Sequence, residues 1–290
     1  MTNPFEAALN ILSNNLNQSD VWNWPEKTKG QLRSAIRLLT GRQAEDHPDL
    51  AAVLNALAIL RQERGDLAEA EALLRRSLAV TRRLRTGREP GQDETDILSN
   101  LALLLQDKNE LGEAEGLMRE ILSNDRRALG PGHVNVGIDL NNLGLLLVRQ
   151  GRFAESEPFL RDAIGIFEKA DHAGLVLALG NLGEALTGSG RYLEAEPVLA
   201  RAVALGAPRL GKQNQDLAKL RVKYGACLLG LKRYAAAEEQ ARAALPVLRA
   251  SLGDRHEWTQ RTVRLLISVY EAWGKPDKAA QYRVSAPTGP

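Results

Sequence analysis

The segment NNLGLLLVRQGRFAESEPFL, beginning at Asn141, returns along the chain in altered form. It recurs from Gly180 as GNLGEALTGSGRYLEAEPVL, from Ser99 as SNLALLLQDKNELGEAEGLM and from Asn55 as NALAILRQERGDLAEAEALL. Two further copies follow: VKYGACLLGLKRYAAAEEQA from Val222 and RLLISVYEAWGKPDKAAQYR from Arg264. Aligned on Gly65, Asn109, Gly151, Gly190, Lys232 and Gly274, the six copies are spaced 44, 42, 39, 42 and 42 residues apart. A chain that keeps such a phase must fold as one small unit stacked on copies of itself, because no single copy can bury its own apolar face.

Each copy reads as a helical hairpin. Its first half places leucines at i, i+3 and i+7, as at Leu140, Leu143 and Leu147, which is one face of a helix. A Gly or Asn then marks a helix C-terminus that needs positive φ. The second half carries a small residue at one fixed offset: Ala70, Ala114, Ser156, Ala195, Ala237 and Ala279. Ala163, Ala202 and Ala244 stand seven residues further on, and small side chains at these offsets let two helices approach closely. The connections between copies recur as well, with Gly or Pro ending one helix and an acidic or amide residue opening the next. RTGREPGQDETDI (85–97) is longer and is expected to form a looser loop. Aromatic residues make up only 4% of the chain, which fits helices better than a β-sandwich or barrel.

Leu, Gly or Ala, Gly, Ala and Ala at these offsets resemble the tetratricopeptide repeat. The longer period and the "LNNLG … GRFAESEPFL" flavour are similar to the kinesin-light-chain type, which is also widespread in bacteria. The resemblance covers about residues 47–283 and implies an all-α fold: a right-handed superhelical solenoid of about six hairpins plus a degraded N-terminal copy. Two departures stand out. Arg61 takes an apolar slot in the first copy, and Ile267 replaces the small residue before the last turn. Residues 1–46 are expected to form a helical cap, with a helix over 4–16, a second over 25–46 carrying Ala35, and Trp22 and Trp24 closing the end. Residues 47–283 form the array, and 284–290 are expected to be a disordered tail.

A stack of hairpins offers an inner surface lined by first helices. Amides recur there: Asn55, Asn100, Asn141, Asn142 and Asn181, of which Asn100, Asn142 and Asn181 share one slot in consecutive copies. An amide carries both donor and acceptor, so such a ladder can pair with the backbone of a bound peptide or with the neighbouring hairpin. The resemblance implies peptide contact, with apolar residues such as Leu103 and Leu145 receiving side chains. The same slot becomes Lys223 in the fifth copy, with Lys219 one turn earlier, and Arg261 and Arg264 lie on the matching helix of the sixth. Residues 209–290 hold 15 Lys and Arg against 7 Asp and Glu, while residues 1–208 hold 23 against 29. The basic half is therefore expected to favour an acidic partner. Tetratricopeptide domains that hold a C-terminal carboxylate use an Asn followed by two basic residues. Asn181, Lys219 and Lys223 match that part, whereas Leu145 stands where a further Asn is needed.

Catalytic chemistry has no constellation here. The single cysteine, Cys227, excludes an intrachain disulfide and lies between Ala226 and Leu228 without a nearby base. Of the four histidines, three recur at inter-repeat turns and one sits nearby, without metal-ligand spacing on one helix. The GPG and GSG stretches lack the Lys-Ser/Thr of a phosphate loop. The expectation is a non-enzymatic, cytoplasmic scaffold or adaptor that binds a protein or peptide partner. It uses no cofactor, metal, nucleic acid or membrane. The alternative is a regulatory sensor whose superhelix changes shape when it binds a peptide or small molecule.

Overall fold

The computed structural model describes residues 50–85 and 90–284. The expected cap over 1–46 and the tail beyond residue 284 lie outside the described residues. Within them the chain is all-α, with twelve helices and no strand. These pair in order: α1 (Leu50–Glu63) with α2 (Leu67–Arg85), α3 (Gln92–Asp107) with α4 (Leu111–Leu129) and α5 (Val134–Arg149) with α6 (Phe153–Lys169). Then come α7 (Gly174–Gly188) with α8 (Tyr192–Leu210), α9 (Gln215–Gly230) with α10 (Tyr234–Leu252) and α11 (Glu257–Ala272) with α12 (Pro276–Val284). The chain divides into two compact units, one ending at Asn124 and one beginning at Asp125.

The six hairpin turns fall where the sequence phase puts them. Gly65, Asn109, Gly151, Gly190, Lys232 and Gly274 all have positive φ, between 59° and 82°. Each turn closes on the same pair of backbone bonds. At the third, the Gly151 N–H donates to the Val148 carbonyl (3.0 Å) and the Arg152 N–H to the Leu147 carbonyl (2.9 Å). This doubly bonded left-handed cap satisfies carbonyls that a helix end leaves open.

Close packing inside each hairpin follows from the small residues. Ala70, Ala114, Ser156, Ala195, Ala237 and Ala279 are all 0% exposed. In the first helices Gly144 lies against Leu160 and Gly183 against Leu199, so close that a Cβ would come within 2.6 Å and 2.3 Å of those side chains. The last hairpin breaks the pattern, since Ile267 stands in the slot of Gly144 and Gly183.

Contacts between successive hairpins also repeat. In the N-terminal unit Arg75 holds Glu113 through two bonds of 2.7 and 2.9 Å, and Lys108 pairs with Glu71. In the C-terminal unit Arg191 pairs with Glu157 (2.5 Å), Arg233 with Glu196, and the Tyr270 hydroxyl donates to Glu238 (2.7 Å). Arg61, the polar residue in an apolar slot, is paired with Glu69 at 3.2 Å. Residues 86–89 of the long connection lie outside the described residues. Glu94, in the first turn of α3, is 1% exposed and accepts from Arg82 (3.0 Å) and Arg85 (2.6 Å). A buried carboxylate with two guanidinium partners thus ties the first turn of α3 to the end of α2.

Candidate functional site in the C-terminal unit

Four successive first helices, α5, α7, α9 and α11, together line a groove of about 790 Å³ in the C-terminal unit. Of the residues singled out in the sequence, Asn141, Asn142, Leu145, Asn181, Lys219, Lys223 and Arg261 meet in it. Arg264 is exposed on α11 and is not among the groove-lining residues. Asn55, Asn100 and Leu103 belong to the N-terminal unit, where Leu103 is 54% exposed.

The amides pair with one another across repeats. Asn181 donates its Nδ2 to Asn141 Oδ1 (3.0 Å), and in the N-terminal unit Asn100 donates to Asn55 Oδ1 (2.9 Å). Thus the shared slot of Asn100 and Asn181 bonds to the slot one residue earlier in the preceding hairpin. That explains why Asn55 and Asn141 are amides at all. The second copy has Ser99 in the accepting slot, and its hydroxyl donates to its own Thr95 carbonyl (2.8 Å). Asn181 is 5% exposed and also accepts from Lys223 Nζ (2.7 Å). Asn142 is the exposed amide of the groove, touched only by a long 3.4 Å bond from Asn141.

The cations have carboxylate partners within the groove. Lys223 is 7% exposed and lies 2.9 Å from Glu184 Oε2, while Arg261 Nη2 lies 2.6 Å from Glu184 Oε1. Lys219 pairs with Asp216 at 3.0 Å. Burial pushes the Glu184 carboxyl up, but the charges of Lys223 and Arg261 outweigh it and hold the group below its ordinary range. Both cations also sit over the Trp258 ring, Arg261 Cζ at 4.8 Å and Lys223 Nζ at 5.9 Å from its centroid. Glu184, Asp216 and Trp258 were not among the sequence candidates. Glu184 had a visible signal, because the same slot holds Ile59, Leu103 and Leu145 in earlier copies and Ala226 and Ser268 in later ones.

The remaining reactive side chains have structural partners. Cys227 is fully buried, its Sγ donates to the Tyr192 carbonyl (3.4 Å), and burial pushes the thiol up. His133 and His256 cap α5 and α11, each accepting through Nδ1 from a backbone N–H at 3.2 Å. His172 Nδ1 accepts from the Gly174 N–H (3.0 Å), and His47 lies outside the described residues. Among the described residues no helix is long and apolar enough to cross a membrane.

The family profile of the tetratricopeptide repeat matches residues 50–85 and 93–169. Among curated proteins none matches the sequence. The fold is similar to the kinesin light chain TPR-like repeats of Podosopora anserina, with 19% identity, a TM-score of 0.60, and 71% of this chain and 97% of that one covered. It is also similar to BtubC (BKLC) from P. vanneervenii, at 22% identity and a TM-score of 0.60 over 88% of this chain and 94% of that one. A tetratricopeptide repeat protein from Parabacteroides merdae aligns at 17% identity and a TM-score of 0.66, covering 99% and 94% of the two chains.

Proposed function

We propose that this tetratricopeptide-repeat protein is a non-catalytic scaffold that holds a peptide segment of a partner protein in the groove of its C-terminal unit. Repeats of this family serve protein interaction, and the single observation that supports the groove is Asn142. Its exposed amide stands beside the apolar side chains of Leu145 and Leu177, the latter 43% exposed. An amide able to both donate and accept can read a peptide backbone whatever the sequence, while apolar neighbours take side chains. Asn181 and Asn141 act indirectly in this reading, by tying α7 to α5. Arg149, Lys219, Lys223 and Arg261 outnumber Glu184, Asp216 and Glu257 in the lining, a surplus that favours an acidic segment.

Affinity purification of partners with wild-type protein and with Asn142→Ala tests the reading. Loss of one neutral hydrogen bond should weaken capture about threefold to tenfold while circular dichroism and melting stay unchanged. Full recovery of the partners by a folded Asn142→Ala variant would overturn it. A second reading, a sensor that changes shape on binding, is favoured by one observation: Arg261 reaches Glu184 across 77 residues, from the sixth hairpin to the fourth. Small-angle scattering with and without captured peptide separates the two, since a static adaptor keeps its radius of gyration.

A further inference from the structure

We propose that Glu184 is a built-in carboxylate that occupies the seat of an acidic ligand group on Lys223 and Arg261, and so sets how strongly the groove accepts acidic segments. The proposal rests on the reading of the groove as a peptide site and names the residue that controls its charge preference.

Stacking gives no reason for an acid at this position. The other five copies fill the slot with Ile59, Leu103, Leu145, Ala226 and Ser268. The carboxylate is instead arranged as a bound ligand would be. Each of its oxygens takes a cation from a different hairpin: Oε2 faces Lys223 Nζ at 2.9 Å and Oε1 faces Arg261 Nη2 at 2.6 Å. Its side chain is 16% exposed, on the wall of the groove. The two cations are fixed independently of it, since both lie over Trp258 and Lys223 also donates to Asn181. Two fixed positive charges facing one carboxylate leave the cluster with a surplus positive charge.

Selectivity follows from what displacement leaves behind. Removing Glu184 without a replacement leaves the buried Lys223 charge desolvated and short of its carboxylate partner. A neutral segment therefore leaves Glu184 in place. A segment that brings its own carboxylate can substitute for it, releasing Glu184 to water by a side-chain rotation, with the cations paired throughout. Glu184 thereby lowers affinity for every acidic group by competing for the same donors.

The test uses the full chain and a probe without a peptide backbone beyond one residue: N-acetyl-glutamate, with N-acetyl-glutamine as the uncharged control. Binding is followed on backbone amide resonances by nitrogen-15 NMR, a readout that every variant retains. Glu184→Gln should bind N-acetyl-glutamate about tenfold tighter than wild type, with no gain for N-acetyl-glutamine, and adding Arg261→Gln should abolish the gain. Glu184→Leu, which restores the residue of the two preceding copies, should show the same gain and guards against a misfolded Gln variant. No gain in either folded variant, or an equal gain for the uncharged control, overturns the proposal. Failure of the peptide reading is seen separately, as unchanged partner capture by Asn142→Ala.

Discussion

Each of the six hairpin turns puts one residue in the left-handed region, and at Asn109 and Lys232 that residue is not glycine. The turns were legible in the sequence because four glycines held the phase and the repeat carried it over the two exceptions. Asn tolerates this conformation through its short polar side chain, but Lys does not share that advantage. Replacing Lys232 (φ 59°) by Gly removes about 1–2 kcal/mol of steric strain. The added freedom of the unfolded chain returns about 0.5–1 kcal/mol. Lys232→Gly should therefore raise stability by about 1 kcal/mol, read as a higher denaturant midpoint at constant slope. The amides were legible as a recurring slot, but not their direction. Asn181 donates back to Asn141 and Asn100 to Asn55, a pairing between two different slots that alignment of copies on one slot conceals.

Helices meet inside a hairpin only as closely as their smallest residues allow, and the recurring offset of Ala70 to Ala279 marks that contact in the sequence itself. What the offsets do not reveal is which glycines are packed and which are merely tolerated. Gly183 and Gly165 both lie inside helices. A Cβ on Gly183 would sit 2.3 Å from the Leu199 side chain, itself 0% exposed, whereas a Cβ on Gly165 meets nothing within 4 Å. Gly183→Ala should thus destabilise by about 1–3 kcal/mol through overpacking of α7 on α8. Gly165→Ala in α6 should stabilise by about 0.8–1 kcal/mol, because only helix propensity changes. Thermal melts of the two variants check both signs, and equal shifts would contradict the packing account. The Ile267 departure has a counterpart in the same terms, since nine residues after the last turn stands Arg283 where α6 and α8 carry Leu160 and Leu199.

The stability of the chain against pH is governed by sites buried between hairpins. Asp139 in α5 is one: burial, the charge of Asp125 near the end of α4 and the hydrogen bond between the two carboxyls push Asp139 up to about 7. Asp139 Oδ2 is buried without a partner. The native state thus keeps a proton that the unfolded chain releases near pH 4. The contribution is complete below pH 4 and is lost as pH rises through 7; a rise from about 4 to about 7 amounts to about 4 kcal/mol, which solvent screening of this half-buried group reduces to on the order of 2 kcal/mol. Asp139→Asn should flatten unfolding free energy between pH 4 and 7, measured by denaturant titration at each pH. An unchanged slope would sink the assignment. Such pairs are illegible in sequence, because Asp125 and Asp139 occupy unrelated slots of neighbouring copies. The same holds for Glu184 and Arg261, which are separated by 77 residues and share no slot. That last bond also has a mechanical meaning. The other ion pairs described between hairpins of the C-terminal unit each join one hairpin to the next. A tie from the fourth hairpin to the sixth closes a ring of chain around the fifth. A pull across the last three hairpins should therefore load the Glu184–Arg261 bond before the fifth hairpin can separate from both neighbours.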